Sequence, residues 1–86
     1  FIGSPEQARR AVGKGYYLSF GERAFASPKT LAALRETPLS QLFLETDDSP
    51  VSIAEIYARA AEAKGVPVEE LQRGILDNYK RIFTDD

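Results

Sequence analysis

Gln41-Leu42-Phe43-Leu44-Glu45-Thr46-Asp47-Asp48-Ser49-Pro50 is an apolar run that ends abruptly in carboxylates and then in turn residues. A short, nearly continuous apolar run bounded by turn signals reads as a strand buried on both faces, the kind found in parallel sheets. In α/β folds the ligand site lies at the carboxyl ends of such strands. Asp47 therefore stands where a parallel-sheet protein keeps its chemistry, and a carboxylate there suits metal binding or proton transfer. Asp47 and Asp48 could equally begin a solvated turn, a common use of Asp. The run alone leaves both readings open.

Working outward, three Ser-Pro pairs punctuate the chain: Ser4-Pro5, Ser27-Pro28 and Ser49-Pro50. Ser at an N-cap followed by Pro in the first turn marks a helix start. Gln7, three residues after Ser4, completes a capping box. The first helix is expected from Pro5 to the Gly13-Lys14-Gly15 cluster, followed by an aromatic strand at 16–20. A second helix starts near Pro28, buries Leu31 and Leu34, and stops before Pro38; the strand at 41–46 comes next. This order, with short connections, predicts parallel βα units, with the two strands adjacent and joined by a right-handed crossover.

Beyond the acidic turn, Ser52 and Glu55 read as a second capping box. Ile53, Ile56, Tyr57 and Ala60 then form a helical stripe that ends at Gly65. Val68, Leu71, Ile75, Tyr79 and Ile82 form another, running to about Phe83. The final helix is expected to close a barrel or pack across its outside. No linker or domain boundary interrupts 1–86, and two strands with about four helices are predicted.

Side chains alternate along a strand, so Phe43, Glu45 and Asp47 share one side while Leu42, Leu44 and Thr46 share the other. The leucine side suits packing against helices; the carboxylate side suits a barrel interior. Glu45 lies one layer deeper than Asp47 and reads as a group that supports a metal ligand or joins a buried ion pair. Ser19 has the parity of Tyr17 and Gly21 and reads either as orienting water near a strand end or as a hydrogen-bonded core serine. The segment from Gly21 to Ala26 is read as a loop at the carboxyl end of its strand, where Arg23 either meets a phosphate or is simply solvated.

The chain has 86 residues and a formal net charge of −2, with no His, Cys or Met. No basic run exceeds Arg9-Arg10, which argues against a module that holds nucleic acid by charge alone. An enzyme that grips phosphate through metal ions needs no basic face. No apolar run approaches the ~20 residues needed to span a bilayer. The absence of Cys excludes a disulfide framework and fits a cytoplasmic setting. Without His or Cys, a multi-ligand zinc or two-metal site cannot be completed from these residues alone.

The wording around Asp47 also resembles the C-terminal portion of TatD-type metal-dependent deoxyribonucleases, amidohydrolase-like TIM barrels. Four signals occur in order: Phe1-Ile2-Gly3-Ser4, Gly15-Tyr16-Tyr17-Leu18-Ser19-Phe20-Gly21, Leu44-Glu45-Thr46-Asp47, and Asn78-Tyr79 followed by Ile82-Phe83. The resemblance covers essentially the whole chain. It implies the C-terminal part of a (β/α)8 barrel in which Asp47 is both metal ligand and catalytic carboxylate. It further implies divalent metal ions (Zn, Mg or Mn), other ligands contributed from outside the segment, and a nucleic acid, DNA above all, as substrate. The chain departs from the family's pattern after Asp47, with Asp48-Ser49-Pro50 where many members have Ala-Pro-Tyr, and it lacks an Arg-Asn-Glu-Pro element downstream.

A complete barrel typically needs ~250 residues. The segment is therefore expected to be part of one, inactive by itself and dependent on the rest of the barrel. Phe20, Leu42 or Phe43 are then expected to be exposed unless other segments cover them. Two other readings use the same residues. One is a small self-standing α/β domain that binds a partner; the other is a signalling module whose Asp47-Asp48 pair resembles the acidic pair of receiver domains.

Overall fold

The computed structural model describes residues 1–46 and 52–83. Among them, β1 (Leu18–Phe20) and β2 (Leu42–Leu44) pair in parallel, with Leu18 opposite Leu42, Ser19 opposite Phe43 and Phe20 opposite Leu44. The chain enters β1 through helix α1 (Pro5–Gly13). It passes to β2 through α2 (Arg23–Ala26), α3 (Pro28–Glu36) and a 3₁₀ turn at Leu39–Gln41. Two helices follow, α4 (Ile53–Lys64) and α5 (Val68–Phe83).

The helix starts follow their caps. Ser4 Oγ accepts from the Gln7 N–H at 3.2 Å while Gln7 Oε1 accepts from the Ser4 N–H at 2.8 Å, the reciprocal pair expected from the sequence. Ser27 Oγ accepts from the Thr30 N–H at 3.3 Å and caps α3. At α4 only half of the expected box forms. Ser52 Oγ accepts from the Glu55 N–H at 3.2 Å, but the Glu55 carboxylate pairs with Arg59 one turn on, at 2.6 Å. A cation four residues away competes well with a neutral amide for that carboxylate. α4 stops at Gly65, whose φ of +69° is the left-handed conformation glycine adopts without strain.

Alternation along the strands holds. Leu18, Phe20, Leu42 and Leu44 are buried in one core with Ala33, Leu34, Ile56, Ala60, Leu71 and Ile75 from the helices. α1 packs on α3, α3 on α4 and α4 on α5. The opposite strand face, carrying Ser19, Phe43 and Glu45, is only half-buried.

Four features differ from the sequence reading. Both strands are three residues long, because their expected first residues are engaged elsewhere. The Tyr16 N–H donates to Ala11 at 3.0 Å, and Gln41 Nε2 donates to the carbonyls of Val12 and Tyr16 at 3.1 and 2.8 Å. The segment read as a loop, Gly21 to Ala26, contains α2, so the described residues hold five α-helices where four were expected. On α5, Tyr79 and Ile82 are 46% and 40% exposed, and Asn78 takes the inward position at 0%. Finally, Phe20 and Leu42 are fully buried at 0%. The Phe1 ring covers Phe20 at 5.5 Å between centroids, and Phe43 lies between Tyr17 and Tyr79 at 5.5 and 4.8 Å.

Candidate metal centre

The carboxyl ends of β1 and β2 lie level, since Phe20 sits opposite Leu44. The Glu45 N–H donates to Phe20 O at 2.9 Å, which carries the parallel ladder one peptide past the end of β2. The chain is therefore still strand-like at Glu45, and the side-chain alternation extends to it. Asp47 and Asp48 lie outside the described residues, so the strand-end placement of Asp47 remains an expectation from parity.

Glu45 is half-buried on the same face as Phe43 and Ser19. Ser19 stands one step lower, directly opposite Phe43, whereas Glu45 is level with Gly21. The two residues thus share a face without being cross-strand neighbours. Beyond β1, Gly21 is buried and its carbonyl accepts from the Ala24 N–H at 3.0 Å, starting α2 immediately. This short helix sets Arg23 at the same end of the sheet as Glu45, exposed to solvent.

On the far side of β1, the Phe1 nitrogen donates to Ser19 O. Gly3 is fixed by Thr30, whose buried hydroxyl accepts from the Gly3 N–H at 3.3 Å and donates to its carbonyl at 3.2 Å. The segment singled out at the start of the chain therefore runs along the edge of β1, held by a residue of α3. Sequence reading gave Thr30 no role, although a Thr at the third position of a capped helix is a visible candidate for such a contact.

Asn78 carries no expected role beyond its part in the family resemblance. Its Nδ2 donates to Leu39 O and Leu42 O at 2.9 and 2.8 Å, and its Oδ1 accepts from Arg81. Arg81 also reaches Ser40 O at 2.8 Å and the Tyr17 hydroxyl at 3.3 Å. The lower ends of both strands are tied to α5 in this way. The signal in the sequence was a polar residue three positions after buried Ile75, on the face that packs inward.

The donor set is carboxylate only. Among the described residues no group of three or more His, Cys, Asp or Glu side chains converges as a metal site. Among the described residues Glu45 is the carboxylate at this end of β2, and it cannot complete a divalent-metal site by itself, so further ligands would have to come from outside the described residues. A depression of about 510 Å³ between α3 and α4 is lined by Phe25, Arg35, Arg59 and Glu62. It is already internally paired: Arg59 binds Glu55 and lies 5.9 Å over the Phe25 ring. No helix among the described residues is long and apolar enough to cross a membrane.

Comparison with known proteins agrees with this geometry. A protein of Escherichia coli K12 named "Uncharacterized metal-dependent hydrolase YcfH" is 32% identical over the whole of this chain, which spans 38% of its length. The crystal structure of the TatD homologue YjjV from Escherichia coli K12 superposes with a TM-score of 0.85 at 29% identity, covering all of this chain and 39% of that one. A TatD-family hydrolase from Entamoeba histolytica gives the same TM-score of 0.85 at 14% identity, a likeness of fold alone. These neighbours are TIM barrels, and the two parallel strands with their helices are an α/β portion of that fold. The family model described as TatD related DNase matches residues 1–84, and the chain belongs to that family of metal-dependent hydrolases.

Proposed function

We propose that these residues form the C-terminal part of a single TIM-barrel hydrolase domain, with Asp47 as the one metal ligand and catalytic carboxylate it contributes. The intact protein would hydrolyse phosphodiester bonds, with DNA as the favoured substrate, in a cytoplasmic setting. The observation that carries this reading is the position of Leu44-Glu45-Thr46-Asp47. Leu44 and Glu45 carry a buried parallel strand to its carboxyl end, and Asp47 follows two residues later in sequence, within the family's Glu-Thr-Asp wording.

A divalent ion bound there would polarise a phosphoryl oxygen and lower the pKa of a water molecule. Asp47 would hold the ion and accept the proton from the attacking water. Glu45, half-buried on the same face, would orient a neighbouring ligand, and Ser19 would line the wall below. With a net charge of −2 in this segment, substrate phosphate would be held at the metal centre and not by a basic surface.

The test is Asp47→Asn in the intact protein, with Asp48→Asn beside it. Asp47→Asn should lower metal-dependent phosphodiesterase activity by about 100-fold or more and weaken divalent-metal binding measured by calorimetry. Asp48→Asn, which strand parity would turn to the other side, should change both far less. The reverse order would move the site by one residue. No effect from either change would remove the catalytic role of this segment.

A further inference from the structure

Residues 1–3 are anchored through Phe1 and Gly3, and the side chain between them is left in solvent. The Phe1 nitrogen donates to Ser19 O, which sets Phe1 beside β1 one residue from its carboxyl end. The Phe1 ring lies on buried Phe20, on the side of the sheet that packs against the helices. Gly3 is held twice by the buried Thr30 hydroxyl, at 3.3 and 3.2 Å. It is also hemmed in, since a Cβ there would come within 2.6 Å of Gln7 Oε1 and 2.7 Å of the Phe1 ring. Ile2, between these anchors, is 63% exposed. A large apolar side chain left in water forgoes its burial, and a backbone fixed beforehand lowers the ordering cost of a later contact. The other exposed large apolar side chains among the described residues lie before β1, at Tyr16, or on α4 and α5. Ile2 stands beside the carboxyl end of β1, the end where α/β folds bind ligands.

Arg23 adjoins the same strand end. It follows buried Gly21 by two residues, in α2, which starts at Gly21 O with no slack between strand and helix. Arg23 is exposed and forms no ion pair among the described residues, whereas Arg9 and Arg59 are paired with Glu36 and Glu55. α2 passes directly into α3 at Ser27, and α3 carries the Thr30 that holds Gly3. One short stretch of chain, from Arg23 to Thr30, therefore sets the positions of both Arg23 and Ile2.

We propose that Ile2 and Arg23 form a substrate-binding rim that takes the nucleotide flanking the scissile bond, Arg23 pairing with its phosphate and Ile2 packing against its sugar and base. The proposal rests on the phosphodiesterase reading above. The scissile phosphate belongs to the metal centre, and the rim holds the next one along the strand. The planar fork of guanidinium donors matches phosphate oxygens. An apolar side chain beside it favours a nucleoside over a compact, strongly hydrated group. A small diester with no flanking nucleotide has nothing to place on the rim, so the contact selects nucleic acid among phosphodiesters.

The test uses the intact protein and two diesters, bis(p-nitrophenyl) phosphate and a single-stranded oligodeoxynucleotide. Arg23→Gln and Ile2→Ser should each raise KM for the oligonucleotide about 10-fold while kcat stays within about twofold. Both kinetic constants for the nitrophenyl diester should stay unchanged. Arg23→Gln should also lower the slope of log KM against log salt by about one, whereas Ile2→Ser and Arg23→Lys should leave that slope as it is. Both side chains are exposed, so the far-UV circular dichroism and unfolding midpoint of each variant should match the parent. An unchanged KM for the oligonucleotide in either variant would overturn the rim and leave the phosphodiesterase reading standing. An equal loss on both diesters would overturn it too, because it would mean a general effect on the site. A parent protein that hydrolyses neither diester with any divalent metal would remove the phosphodiesterase reading, and the rim with it.

Discussion

Asn78 shows what a single side chain contributes here. It is fully buried, at 0% exposure, and satisfies two carbonyls just before and within β2 while accepting from Arg81. Asn78→Leu should destabilise the protein by about 2–4 kcal/mol in chemical denaturation, because Leu39 O and Leu42 O lose their donor while staying buried. An unchanged midpoint would mean that water replaces the amide. The residue also marks a limit of sequence reading. Leu71, Ile75 and Tyr79 make a sound apolar stripe, but Leu71, Ile75 and Asn78 lie equally well on one helical face. Hydrophobic pattern cannot choose a polar residue whose partners are backbone carbonyls 36 and 39 positions away. The strand phase was legible, since Leu42 and Leu44 had to be buried together. Phe43 and Glu45 therefore took the other face, and the expectation for Asp47 rests on that phase.

Among the elements, helix starts were the most legible, because a Ser with Pro in the first turn acts locally. The bounds of α1, α3, α4 and α5 follow the caps and stripes closely. α2 was missed because four residues carry no periodicity, and its formation depends on Ala24 being driven into the core at 0% exposure. The strands proved shorter than their apolar runs because the Gln41 side chain, not a ladder, secures the chain at Tyr16. The contact between α5 and the 3₁₀ turn rests on the absence of a side chain. A Cβ at Gly74 would come within 2.6 Å of Leu39 Cγ. Gly74→Val should cost about 1–3 kcal/mol by overpacking, read as a lowered denaturation midpoint. A neutral result would show that Leu39 moves aside freely.

Among the described residues, two of α4 pull the alkaline dependence of stability in opposite directions. Lys64 Nζ donates to the carbonyls of Leu34, Arg35 and Thr37 at the end of α3, and burial pushes its pKa below the ordinary 10.5. Burial first, and then the neighbouring Tyr79, pushes the Tyr57 hydroxyl above its ordinary 10.0. Stability rises with pH wherever the unfolded chain holds more protons. Between its lowered folded value and 10.5, Lys64 is charged when unfolded and neutral when folded, so its contribution grows as pH rises through that window. Above 10.0 the unfolded chain loses the Tyr57 proton first, so that contribution declines. The unfolding free energy of the parent minus that of Lys64→Met should therefore increase toward pH 10.5, and the same difference against Tyr57→Phe should decrease above pH 10.0. Denaturation curves at a series of alkaline pH values measure both. If the Lys64 difference fell as pH rose, the three carbonyl bonds, strongest to the charged amine, would outweigh its desolvation. Lys64 would then act chiefly as a charged clamp on the end of α3, and the join between α3 and α4 would loosen in alkali instead of tightening.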